Sequence, residues 1–193
     1  MKKYCVLAIL FTIALLNVYS LGFYMDLGLG LGKAWTFTNN TNIINFPEAK
    51  EASFSDLGVD LGLKAGISLK DSPVFLVLAG GSLGHRFYNS DDYLQINSYY
   101  LGPGIIYYPI GIIQIAASLG YTFNIIDTSL QDTYATNGGI AGDLSLAVDL
   151  GRRLSGFLLG VKGTGAVTLL EVTNDFFIST GLTIFTRYSL RKK

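Results

Sequence analysis

The chain reads as an all-β protein, a transmembrane antiparallel up-and-down β-barrel of about eight strands, on three observations. Apolar residues alternate with polar or small ones along most of its length, long and short connections take turns between these segments, and aromatic residues gather at segment ends. Alternation at period two gives a strand two faces in different media. Glycine and aspartate are poor strand formers in water-soluble sheets. Here they recur on one face, as the narrow polar interior of a small barrel requires.

In the first strand, residues 23–35, Phe23, Met25, Leu27, Leu29, Leu31 and Trp35 face outward and Tyr24, Asp26, Gly28, Gly30, Gly32 and Ala34 inward. The second, 57–69, sets Val59, Leu61, Leu63 and Ile67 against Asp56, Gly58, Asp60, Gly62, Lys64 and Gly66, and Lys70-Asp71-Ser72-Pro73 ends it. The third, 74–88, is apolar on both faces in its first half, and is read with Phe75, Val77, Ala79, Leu83 and Phe87 outward and Arg86 inward. In the fourth, Tyr99, Leu101, Pro103, Ile105 and Tyr107 alternate with Tyr100, Gly102, Gly104, Ile106 and Tyr108. Pro103 cannot donate to a ladder, so a bulge or distortion is expected there.

The fifth strand, 113–124, opposes Ile115, Leu119, Tyr121 and Phe123 to Gln114, Ser118, Thr122 and Asn124. The sixth, 140–150, opposes Leu144, Leu146 and Val148 to Asp143, Ser145 and Asp149. Beyond Gly151-Arg152-Arg153, the seventh places Phe157, Leu159 and Val161 outside and Lys162, Thr164 and Thr168 inside. The last, 176–188, offers Phe176, Ile178, Leu182, Ile184 and Tyr188 against Gly181, Thr183, Phe185 and Arg187. The connections after strands one, three, five and seven are expected to be the longer set: 36–53, 89–95, 125–137 and 170–175. Outward aromatics then form two girdles at headgroup level. Phe23, Phe75, Tyr107, Phe157 and Tyr188 lie beside the short turns, and Trp35, Phe87, Tyr99, Phe123 and Phe176 beside the long loops.

Residues 1–20 carry Lys2 and Lys3 ahead of an apolar run that ends at Val18-Tyr19-Ser20. This is the pattern of a cleaved secretory signal peptide, cut after Ser20 or alternatively after Gly22, leaving residues 21–193 as the barrel domain. The single cysteine, Cys5, falls within it, so disulfides and thiolate chemistry are excluded from the mature chain. Half of the residues are hydrophobic, 15% are charged and the formal charge is zero, so nothing points to nucleic acid. Short and long connections alternating on opposite sides, after a leader, place the barrel in a bacterial outer membrane, with the lipid bilayer as its first partner.

The inward faces carry a mixed charge set: Asp26, Asp56, Asp60, Asp143 and Asp149 against Lys64, Arg86, Lys162 and Arg187. Buried charges must pair or line water. A salt-bridge network filling the bore is the first expectation, and a narrow polar conduit the second. Tyr24, Tyr100, Ile106, Tyr108 and Phe185 are inward exceptions placed toward the short-turn end, where they could form an apolar floor. The sole histidine, His85, has only Ser82 and Asp91 nearby in sequence, which is too thin a constellation for a hydrolase. No metal or cofactor is expected. Gly28, Gly30 and Gly32 are two apart on one strand face and cannot make a phosphate-binding loop.

The leader, Leu27-Gly28-Leu29-Gly30-Leu31-Gly32, the segment from Tyr100 through Gly102-Pro103-Gly104 to Tyr108, and the closing Gly181-Leu182-Thr183-Ile184-Phe185-Thr186-Arg187-Tyr188 together resemble the small outer-membrane barrels of the OmpW, OmpX and OmpA-transmembrane-domain type. The resemblance implies insertion by the barrel-insertion machinery, which reads a terminal aromatic; here Ser189-Leu190-Arg191-Lys192-Lys193 follows Tyr188. The expected role is structural or surface interaction through loops 36–53 and 125–137, toward an extracellular ligand or host surface. A narrow channel for small polar or hydrophobic solutes is the competing expectation that the OmpW likeness implies. A soluble ligand-binding barrel is the third.

Overall fold

The computed structural model describes residues 21–38, 58–69, 72–89, 92–128, 134–151, 155–170 and 176–192. Eight antiparallel strands run in chain order: β1 (Leu21–Thr38), β2 (Gly58–Leu69), β3 (Val74–Asn89), β4 (Asp92–Ile110), β5 (Ile113–Thr128), β6 (Tyr134–Asp149), β7 (Gly156–Leu170) and β8 (Phe176–Lys192). Each pairs with its sequence neighbours, and β8 closes on β1. The leader with Cys5, and Asp56, lie outside the described residues.

Closure fixes the strand tilt. The paired residues Leu27, Leu63, Gly80, Leu101, Tyr121, Ile140, Val167 and Ile178 lead once round the barrel and back to β1 at Phe37, ten residues beyond Leu27. With about 3.3 Å per residue and 4.8 Å between strands, that stagger inclines the strands by about 40° to the axis. Strands of 12 to 19 residues therefore overshoot the hydrocarbon, which 9–11 tilted residues cross.

Polarity is inverted relative to a soluble protein. Leu, Ile and Val side chains on every strand are exposed, while Asp26, Asp60, Lys64, Lys162 and Arg187 are buried inside. The two aromatic belts bound this apolar surface. Phe23, Tyr107, Phe157 and Tyr188 project outward at one end, and Trp35, Tyr99, Phe123 and Phe176 at the other. Two cross-strand pairs lock ring to ring, Tyr99 on Phe123 with centroids 5.0 Å apart and Phe157 on Tyr188 at 5.1 Å.

The expected facing of β3 and the expected loop lengths need correction. The facing of β3 is opposite to the one expected: Leu76 and Leu78 are 63% and 55% exposed, whereas Val77 and Ala79 are 6% and 1%. Phe75 consequently leaves the girdle and turns inside, its ring 5.2 Å from that of Tyr24 and 6.1 Å from that of Tyr108. With both faces apolar, period two could not choose between them; the partner rings inside the barrel do. The side chains of Arg86 and Phe87 lie outside the described residues.

The segments 89–95 and 125–137 are not long loops. β3 and β4 pair out to Asn89 and Asp92, leaving only 90–91 between them. β5 and β6 pair out to Ile126 and Tyr134, with a one-residue register shift after Thr122, leaving 129–133. The polar residues that read as loop are strand extensions. Among the connections, 39–57 stands out in length, and 150–155 exceeds 90–91, so the regular alternation of lengths is not observed.

At Pro103 the expected irregularity is present as a break in the ladder and not as a bulge. The β4–β5 ladder skips Gly102 and Pro103 and resumes at Gly104 in the same register, while the shift falls further on, between Tyr107 and Ile110. Gly102 and Gly120 explain how. A Cβ on either would run into the other strand's backbone, so two glycines let the chains pass closely beside the proline. Lastly, the tail after Tyr188 continues β8, with Leu190, Arg191 and Lys192 paired to Met25, Tyr24 and Phe23.

The lipid face yields a direct expectation. Leu119→Arg, at mid-height of the apolar belt, should cost about 2–4 kcal/mol in urea unfolding from liposomes. For β3, Leu78→Cys should react with a lipid-phase maleimide and Val77→Cys should not; the reverse would restore the facing first expected.

Candidate functional site

The lumen is layered along its axis. At the end that carries the connections 70–73, 111–112 and 150–155, Tyr24, Phe75, Val77, Ile106, Tyr108 and Ala116 pack into an apolar floor, and Leu158, Ala147 and Phe185 form a second cluster. The floor has a polar lock. Gln114 donates from its amide nitrogen to the Tyr24 hydroxyl at 3.0 Å and to the Tyr108 hydroxyl at 2.7 Å, and Tyr24 donates to Asp26 at 2.6 Å. Buried tyrosines need such partners. Gln114 was legible only as an inward polar residue, because what it joins lies on β1 and β4.

Above the floor sit three acids and three bases. Lys162 on β7 contacts Asp60 on β2, Lys64 on β2 lies 3.6 Å from Asp143 on β6, and Arg187 on β8 lies 3.9 Å from Asp26 on β1. In a ring of eight strands β2 lies opposite β6 and three strands from β7, so the first two pairs are struts across the bore. Asp143 also accepts the Ser118 hydroxyl hydrogen bond, and the Arg187 guanidinium stacks 4.2 Å from the centre of the Phe185 ring.

Glycine makes room for this layer. The stem of Arg187 occupies the space where a Cβ on Gly28 would stand, and its Nη2 passes 3.4 Å from the corresponding point on Gly62. The glycines of the inner face of β1 are therefore the negative of the side chains on β8. Any larger residue at Gly28 would displace the arginine stem.

Of the charges expected in the lumen, Asp26, Asp60, Lys64, Asp143, Lys162 and Arg187 come together in this layer. Asp149 does not join it: the side chain is buried near the turn end, where its Oδ1 accepts the Gly151 N–H at 2.9 Å. Tyr100 is not part of the floor. It lines a cavity of about 80 Å³ that extends from the charged layer toward the opposite end, with Ala34, Leu83, His85 and Ile96 also in its wall. His85 is buried, its ring in the space above Gly58. Among the described residues no cluster of three or more His, Cys, Asp or Glu side chains could hold a metal ion.

No protein-family model and no curated protein match the chain. Solved structures do share its fold. Ail, the attachment invasion locus protein of Yersinia pestis, superposes with a TM-score of 0.57 at 9% identity over 86% of this chain and 98% of Ail. Ail in complex with the heparin analogue sucrose octasulfate gives 0.56 at 8% identity, over 87% of this chain and 99% of that one. Neisserial surface protein A gives 0.51 at 15% identity, covering 86% and 96%. These likenesses establish the fold, a small eight-stranded transmembrane barrel of the outer-membrane kind.

The strut between β7 and β2 is testable by a double-mutant cycle. Lys162→Met leaves Asp60 buried without its partner and should cost several kcal/mol, visible as a lower urea midpoint. Adding Asp60→Asn should recover most of the loss, since it removes the stranded charge.

Proposed function

We propose that the protein is a structural or surface-interaction barrel of the bacterial outer membrane, exported on residues 1–20 and inserted by the barrel-insertion machinery. Its partners are the lipid bilayer and, through its loops, an extracellular ligand or host surface. The observation that supports this reading is the filling of the lumen: an apolar cluster at one end and two ion pairs across the bore suit a rigid frame better than a conduit. Interaction then falls to the connections, of which 39–57 offers the most chain. It includes Asn39-Asn40-Thr41-Asn42 and the charged Glu48, Lys50 and Glu51.

Ail is the neighbour with a named ligand, but at 8% identity its sulfated-sugar binding does not transfer to these residues. The segment 125–137, the other expected interaction loop, is reduced to 129–133. We assign no catalytic role, because His85 is enclosed in the lumen wall. The packed floor also weighs against the channel alternative.

In planar bilayers the purified barrel should show no steady single-channel conductance; reproducible open steps would favour transport. Trypsin added to intact cells should cut at Lys50 and spare Lys70 and Arg152. Cleavage at Arg152 in sealed cells would invert the topology and remove the loops from the cell surface.

A further inference from the structure

The structure assigns a second property to the lumen, independent of the loops: we propose that the cavity above the charged layer binds a small aliphatic monocarboxylate. Lys64 carries the argument. Its side chain is 4% exposed, yet Nζ has no hydrogen-bond partner and its acid, Asp143, stands 3.6 Å away, beyond hydrogen-bonding distance. A lysine ammonium has three N–H donors, and leaving them all unused in a buried site is costly. Arg187 repeats the pattern, with Nη1 unbonded and 3.9 Å from Asp26.

Both cations line the same cavity, together with Lys162 and the carboxylates of Asp60 and Asp143. They meet on the inner face of β2, where Arg187 Nη2 passes Gly62, two residues from Lys64. Unused donors of two cations beside open space fit an oxygen anion. Each acid is already matched by a base, Asp26, Asp60 and Asp143 against Arg187, Lys162 and Lys64. A monocarboxylate that enters with one proton keeps the layer neutral, and the unbonded Asp143 Oδ1 and Asp26 Oδ1 can share that proton, where a dianion would leave excess charge buried.

The rest of the wall defines the other half of the ligand. Ala34, Ala79, Leu83, Ile96, Ala141 and Ala166 line the cavity above the cations. Leu83 reaches across the bore toward Gly181, its Cδ2 3.5 Å from where a Cβ would stand. A charged base under an apolar wall suits a carboxylate with a short hydrocarbon tail. A cavity of about 80 Å³ limits that tail to a few carbons.

The test is calorimetric titration of the folded full barrel in micelles with sodium butyrate, against butylammonium chloride and sodium sulfate. Butyrate should bind saturably at one site and raise the unfolding temperature, and the other two should not. Lys64→Met should weaken butyrate at least tenfold. Because that variant also strands Asp143, Leu83→Trp provides the second arm: it fills the apolar wall, leaves every charge in place, and should abolish binding in a barrel that remains folded. No saturable butyrate binding by the wild type would mean that water alone fills the cavity and would overturn the proposal. Equal uptake of butylammonium or sulfate, or undiminished binding by folded Leu83→Trp, would do so as well.

Discussion

Backbone hydrogen bonding sets the terms for this molecule. A sheet in hydrocarbon cannot leave a strand edge unpaired, because each orphan N–H or C=O costs several kcal/mol with no water to satisfy it. The pairing of β8 with β1, unbroken from Phe23 to Thr38 on the β1 side, removes that edge. Closing only eight strands has a consequence for everything inside. The bore is barely wider than the side chains that point into it, so each inward position must be matched in size and charge to residues on other strands.

That matching explains the composition of the inner faces. Gly28 and Gly62 are small because Arg187 is large, and Gly58 is small because His85 stands over it. Within the charged layer three acids face three bases, because an unmatched charge in so narrow a space is costly. Ion pairs of this kind add little net stability against an apolar filling of equal volume. What they provide is a cross-link between opposite walls and a polar surface next to a cavity, which an all-apolar plug would not leave.

The two ends of the lumen differ for the same reason. Toward the end that carries 70–73, 111–112 and 150–155, Tyr24, Phe75 and Tyr108 are bulky enough to meet in the middle, and Gln114 ties their hydroxyls together. Toward the other end the inward residues include Ala34, Ala141, Ala166 and Ser98, too small to span the bore, and a cavity remains. The asymmetry separates a packed base from a recessed upper half.

Strand number and, on seven strands, the lipid-facing residues were legible along the chain, since period-two alternation of Leu, Ile and Val with Gly and polar residues is a local signal. The sequence also named the six charges that meet in the lumen. Three matters were decided only by tertiary contacts. The facing of β3 was ambiguous because Phe75, Leu76, Val77 and Leu78 are apolar without interruption, and ring packing against Tyr24 and Tyr108 fixed it. The polar segments 89–95 and 125–137 read as loops until cross-strand hydrogen bonding drew most of their residues into the hairpins. Which acid meets which base was likewise unreadable, because β2 contacts β6 and β7 only across a bore that exists once the barrel has closed.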